Sequence, residues 1–156
     1  MGYKESLEAA EAVVLNYEEF GSYQGDWLAF VEYKGERGII MGSYGSCSEC
    51  DAFEAEFGYS GEPEERDGKF YKSRYDYEEC TEEEYKESVR AYKERFVEFG
   101  RSYLEASGRP DLIGREYFER MLSELKEDDW FDKEKKEYCE WALNQNWEQP
   151  QQNNNT

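Results

Sequence analysis

Histidine is absent from the 156-residue chain, so no imidazole exchanges protons near neutrality and the commonest general base of enzyme chemistry is missing. No Gly-rich phosphate loop ending in Lys-Ser or Lys-Thr occurs, and no Gly-x-Ser-x-Gly nucleophile elbow, which removes two further routes to catalysis. No apolar run reaches the 18 or more residues of a membrane span. The opening Met1-Gly2-Tyr3-Lys4-Glu5 lacks the basic flank and apolar stretch of a secretion signal, which predicts a cytoplasmic protein. Gly2 and Ser6 fit an acylation pattern, but the acidic residues around them supply no basic second signal for membrane anchoring. Aliphatic side chains are scarce as well: 14 Tyr, 9 Phe and 4 Trp together outnumber Val, Ile, Leu and Met.

Acid is what the chain has in excess. Its 38 Asp and Glu face 19 Lys and Arg, a net charge of -19 that no physiological pH removes. Nucleic-acid binding draws most of its affinity from cations on phosphates, so this field repels polynucleotides and anionic membranes and predicts a basic partner protein. A salt-adapted surface would favour Asp and shed Lys, whereas 30 Glu stand against 8 Asp and 10 Lys remain. A mean hydropathy of -1.10 with 37% charged residues leans toward disorder. Large rings at 17% of the chain offset that, since each buries much area per residue. The expectation is one folded acidic domain over residues 1–148 and a flexible polar tail over 149–156, where Gln and Asn dominate.

The pattern of elements predicts an α+β fold: an N-terminal helix, a small antiparallel sheet with a hairpin, then about three helices. Leu7, Ala10, Val14 and Tyr17 recur at helical spacing, placing a first helix over Glu5–Leu15. Trp27 to Tyr33 is apolar on both faces, Lys34 to Gly38 turns, and Ile39-Ile40-Met41 returns, which reads as a hairpin with a buried strand. Alternation from Phe70 to Tyr77 suggests a further strand. Thr81 three residues before Glu84 is a capping box. Behind it Tyr85, Val89, Tyr92, Phe96, Phe99 and Tyr103 form an aromatic seam that should stop near Gly108-Arg109-Pro110. Tyr117, Phe118, Met121, Leu122 and Leu125 mark the next helix, and Tyr138, Trp141, Ala142 and Gln145 one face of the last.

One segment has the look of chemistry. Ile39 to Phe57 reads strand, Gly-rich turn, helix, with Cys47-Ser48-Glu49-Cys50 at the junction, where a helix dipole favours thiolate. Thioredoxin-like exchange relies on a cis-proline facing the pair, and only Pro63, Pro110 and Pro150 exist. Glu49 and Asp51 also oppose thiolate formation. Structural zinc commonly takes two close ligand pairs, but Cys80 and Cys139 stand far apart and no histidine can help. We therefore expect no metal and no cofactor. Gly45, Ser46, Cys47, Cys50 and Asp51 then form a structural turn in which Asp51 or Ser48 caps the helix and the cysteines pack as small apolar groups.

Tyr44-Gly45-Ser46-Cys47-Ser48-Glu49-Cys50-Asp51-Ala52-Phe53, preceded by Gly21-Ser22-Tyr23-Gln24-Gly25-Asp26-Trp27, resembles a group of small uncharacterised proteins of bacteria and their phages that carry Tyr-Gly-Ser-Cys-Ser-Gly-Cys-Asp-like segments. The likeness covers about a quarter of the chain, Glu19 to Phe57, with Glu49 standing where glycine is usual. It implies a phage or mobile-element setting and brings no activity or catalytic residue with it. Together with the charge, it leads to a non-enzyme: a phage inhibitor of a host defence enzyme such as a CRISPR nuclease or restriction enzyme. Carboxylates would imitate phosphate toward that enzyme's Lys and Arg. The densest acids, Glu62, Glu64, Glu65, Asp67, Asp76, Glu78, Glu79, Glu82, Glu83 and Glu84, are the expected partner-binding set. The competing function is a small-ligand or metal-binding module at the Gly-Ser-Cys turn.

Overall fold

A computed structural model describes residues 2–21, 24–45, 51–57, 61–124 and 133–148. Ser46, Cys47, Cys50 and the tail 149–156 lie outside the described residues. The chain is α+β: α1 (Tyr3–Ala9), β1 (Val13–Gly21), β2 (Gly25–Tyr33), β3 (Glu36–Tyr44), α2 (Ala52–Phe57), β4 (Glu64–Arg66), β5 (Lys69–Tyr71), α3 (Glu82–Leu104), β6 (Glu105–Ala106), β7 (Arg109–Pro110), α4 (Arg115–Glu124) and α5 (Lys133–Leu143). β1, β2 and β3 make an antiparallel sheet in that order, and β4–β5 and β6–β7 are small hairpins.

The central strand β2 explains the architecture. Side chains alternate across a strand, so Trp27, Ala29, Val31 and Tyr33 enter one buried cluster with Tyr3, Leu7, Ala10 and Leu104. Leu28 and Phe30 enter another with Ile39, Phe118, Tyr138, Cys139 and Ala142. The sheet is thus covered by α1 and α3 on one face and by α4 and α5 on the other, which is why β2 reads as continuously apolar. Trp27 is wholly buried and packs against the tilted Tyr3 ring and edge-to-face with Tyr103, at 5.2 Å between ring centres in each case. Such aromatic pairs contribute about 0.5–1.5 kcal/mol beyond area burial.

The β2–β3 turn is tighter than the sequence suggests. Lys34 and Gly35, with φ of 46° and 84°, form a two-residue connection whose backbone twist suits a hairpin, and pairing resumes at Tyr33 with Glu36. Glu105 at the end of α3 accepts hydrogen bonds from the Tyr33 hydroxyl and Lys34 and fastens this turn. The far edge of β3 is covered where Ile39 and Ile113 exchange two backbone hydrogen bonds of 2.9 Å.

Three elements depart from the sequence reading. The first helix ends at Ala9 rather than Leu15, because Val13 and Val14 pair with Glu32 and Val31 of β2 and β-branched residues suit a pleated strand. Leu7, Ala10, Val14 and Tyr17 nevertheless share one cluster, so their common face was real although two secondary structures supply it. The Phe70–Tyr77 strand shrinks to Lys69–Tyr71. Beyond it the Ser73 hydroxyl accepts from the Tyr75 amide at 3.2 Å, and the Asp76 amide bonds the Ser73 carbonyl at 3.0 Å. Such local bonds compete with a ladder, and they leave Tyr75 and Tyr77 exposed. Finally, α3 stops at Leu104 because Ser107 and Gly108, at φ of 53° and 77°, turn the chain into the β6–β7 hairpin.

Among the described residues no helix is long and apolar enough to cross a membrane.

Candidate partner-binding surface

Nine of the ten acids named from the sequence lie on three neighbouring pieces, the β4–β5 hairpin, the strap 72–80 and the first turn of α3, and Glu62 lies just before β4, where its carbonyl accepts from the Arg74 amide at 2.7 Å. Asp67 and Gly68 at φ of 51° and 76° close the hairpin. The strap is fastened by the Cys80 amide on the Phe70 carbonyl at 2.8 Å and by Arg66, which donates to the Asp76 carbonyl at 2.5 Å. Phe70 meets Tyr85 at 5.0 Å between ring centres, joining hairpin to helix. Arg66 also lies 3.8 Å from the centre of the Tyr71 ring, a cation–π contact that stiffens the same corner.

Four of the ten acids already have local partners. Glu64 pairs with Arg66 at 3.1 Å, Glu79 with Lys69 at 3.2 Å, Glu82 with Lys86 at 3.5 Å and Glu84 with Lys72 at 3.1 Å. Glu62, Glu65, Asp67, Asp76, Glu78 and Glu83 make no ion pair among the described residues, and all six are exposed. Tyr77, 96% exposed, stands between Asp76 and Glu78. The platform therefore separates bracing carboxylates from displayed ones, a division not visible in the sequence.

Glu84 belongs to the braces. Its carboxylate accepts from the Thr81 amide while the Thr81 hydroxyl accepts from the Glu84 amide, each at 3.1 Å. The Thr81 backbone bond first and Lys72 second hold its carboxyl below the usual carboxylate range. A group lowered in the folded state contributes its stabilisation above its unfolded pKa and loses it as pH falls through the folded one. Acidification below about pH 4, the ordinary Glu range, is therefore expected to fray the first turn of α3. A carboxyl NMR titration checks this: the low Glu84 midpoint should move part of the way toward the ordinary value in Lys72→Ala, and less in Thr81→Ala, which keeps the backbone amide.

One buried side chain ties together Gly45 and the start of α2, on either side of the segment that carries Cys47 and Cys50. Asp51 accepts from the Tyr3 hydroxyl, from the Gly45 amide at 3.1 Å, and from the Phe53 and Glu54 amides at 3.0 and 3.2 Å. Of the two capping candidates, Asp51 or Ser48, Asp51 is thus the cap of α2, and it also holds Gly45 to that helix. Asp51→Ala would orphan several of these donors in a buried place. We expect a loss of about 3–5 kcal/mol, read as a fall in the denaturation midpoint.

Cys47 and Cys50 fall in the segment outside the described residues. Cys80 and Cys139 are free thiols, and no group of three or more metal-ligating side chains occurs among the described residues. Cys139 is buried in the α4–α5 cluster, on the opposite face of the sheet from Tyr3. Burial pushes its thiol up to about 12, so it stays protonated and inert.

One feature carried no sequence signal. A bulge at Leu15 shifts the phase of β1, so that Val14 before it and Tyr17 after it face the α1–α3 cluster while Asn16 and Glu18 point to the α5 side. They line a cleft there with Glu134, Glu137, Tyr138 and Trp141. Comparison with models of protein families, with curated proteins and with solved structures finds no match to this chain.

Proposed function

We propose that this protein is a phage-type inhibitor that acts in the host cytoplasm by occupying the cationic channel of a nucleic-acid-processing defence enzyme, such as a CRISPR nuclease or restriction enzyme. It works by binding and not by catalysis. The observation that carries this reading is the set of six exposed carboxylates, without ion-pair partners among the described residues, on and beside a braced hairpin, strap and helix turn within a chain of net charge -19. Anions carried on a folded scaffold meet Lys and Arg without the backbone first having to be ordered, and the field of the whole protein speeds the encounter. Tyr77 among these acids adds a large ring of the kind that anchors interfaces.

A pull-down from bacterial lysate at low and high salt tests it. Screening shortens the reach of exposed charge from about 10 Å at 0.1 M salt to about 3 Å at 1 M. The expected partner is a basic nucleic-acid enzyme that is captured at low salt, is lost as salt rises, and is displaced by its own DNA or RNA. A captured partner that is not basic, or that binds nucleic acid and inhibitor together, overturns phosphate mimicry.

A further inference from the structure

The fold closes one edge of its main sheet and leaves the other open. On β3 the Ile39 backbone is taken up by Ile113 through two hydrogen bonds. β1 lies at the opposite end of the order β1-β2-β3, and among the described residues no strand but β2 pairs with it. Which of its backbone groups are left over follows from the β2–β3 turn. The two-residue connection makes Tyr33 and Glu36 a hydrogen-bonded pair, and the direction of bonding alternates along an antiparallel strand. Tyr33, Val31, Ala29 and Trp27 therefore bond β3, while Phe30, Leu28 and Asp26 bond their β1 partners Asn16, Glu18 and Phe20. The outward bonds of Ile39, which faces Phe30, obey the same alternation. The N–H and C=O groups of Tyr17 and Glu19 consequently point away from the sheet.

An open edge is a template for a further strand, and proteins commonly guard against that with Lys, Pro or a bulge. β1 contains neither Lys nor Pro, and its bulge at Leu15 leaves residues 16–21 in regular register. The charge it does carry has one sign. Glu18 faces the α5 side and Glu19, opposite Trp27, the α1 side. Both are exposed, and neither makes an ion pair among the described residues. Like charges directly opposite one another destabilise a sheet and opposite charges stabilise it. This edge therefore resists a second copy of a chain that carries -19 and favours a basic strand. At the bulge and before it the chemistry changes, since Leu15 and Val13 are 42% and 55% exposed and offer apolar surface.

We propose that the open edge of β1 binds an extended segment of a partner protein as a fourth strand, in which two adjacent basic residues are followed by apolar ones. The segment runs antiparallel to β1, the arrangement in which facing residues exchange both bonds. Tyr17 and Glu19 each supply an N–H and a C=O to it, its first base lies opposite Glu19, its second opposite Glu18, and its apolar residues run toward Leu15 and Val13. Main-chain bonding gives such complexes their affinity, and the alternating side chains give them their specificity. The edge shares no residue with the acidic platform, so failure of one reading leaves the other standing.

The probe is a capped heptapeptide of valine and threonine with two adjacent arginines at its third and fourth positions, titrated into the whole chain by calorimetry and followed by amide hydrogen exchange. In the protein alone the Tyr17 and Glu19 amides should exchange freely while those of Glu18 and Phe20 are protected. Saturating peptide should slow exchange at Tyr17 and Glu19 by about tenfold or more. N-methylation of the first arginine, whose amide faces β1, should abolish binding, whereas N-methylation of the second, whose amide faces solvent, should not. The counterpart with two glutamates should not bind. Glu19→Gln should weaken affinity by about 1.5–5-fold. Glu19→Pro removes an N–H that bonds nothing among the described residues, so the melting temperature should hold while binding disappears. Glu18→Pro instead removes a bond to β2 and should lower the melting temperature. Exchange unchanged at Tyr17 and Glu19, equal binding of the glutamate peptide, or indifference to N-methylation of the first arginine overturns the proposal. So does protection of those two amides that grows with protein concentration in the absence of peptide, which would give the edge to a second copy.

Discussion

Gly100→Ala is expected to destabilise the protein, against the rule that alanine outdoes glycine inside a helix by about 1 kcal/mol. Gly100 is buried where α3 meets α1, and a Cβ built on it would stand 1.9 Å from the Ser6 carbonyl oxygen and 2.4 Å from its carbon. Those are backbone atoms, so no side chain can swing aside. Relief requires the two helices to separate, which would break the bond from the Ser6 hydroxyl to the Phe96 carbonyl at 2.5 Å. Overpacking of this kind costs about 1–3 kcal/mol, and each kcal/mol moves the melting temperature by about 2–4 °C in a chain of this size. Gly100→Val, larger and β-branched, should abolish the cooperative transition. Thermal melts by circular dichroism decide the matter, and a raised melting temperature in Gly100→Ala would mean that α1 does not dock as described.

Neutralising Glu62, Glu65, Asp67, Asp76, Glu78 and Glu83 together as amides should lower affinity for the captured enzyme by about 10²–10⁴-fold. Six contacts of about 0.5–1 kcal/mol each give that range. Extending the change to Glu64, Glu79, Glu82 and Glu84 should abolish binding, with the acids of α5 left intact. The four paired carboxylates changed alone should cost far less affinity, because their charge is already spent on Arg66, Lys69, Lys86 and Lys72. Affinity unchanged in the six-fold variant would move the partner-facing surface elsewhere on the protein.

Much of the fold could be read from the chain because its signals are local. The Thr81–Glu84 box, the seam from Tyr85 to Tyr103 and the Asp51 cap all depend on neighbours within a few residues, and each element stands where expected. The failures have a common cause in tertiary competition. Val13 and Val14 extend a helical spacing but pair with Val31 and Glu32 of β2 instead. Phe70 to Tyr77 alternates, but β4 receives only its first two residues, and Ser73 then turns the chain.

The acidic set was legible as a density of charge but not as a surface. Which carboxylates brace and which are displayed depends on Lys69 reaching Glu79 and Lys72 reaching Glu84, pairings ten and twelve residues apart that no periodicity encodes. The cleft at Asn16 and Tyr138 was illegible for a stronger reason, since it joins residues over a hundred positions apart and hangs on a one-residue bulge.

The docking of α1 on α3 also sets a timetable for synthesis. Ser6 and its acceptor Phe96 are 90 residues apart, and ribosomes add about 5–20 residues per second. The apolar side of α1 and the open edge of β1 therefore wait about 5–20 s for the helix that will cover the cluster they share. The β2–β3 hairpin, whose contacts are local, closes within microseconds of emerging. The nascent chain thus passes through a stage with a formed hairpin and an uncovered Trp27 face. Variants that slow elongation between residues 45 and 104 should lengthen that stage and raise the fraction lost to aggregation, with no change in the stability of the finished protein.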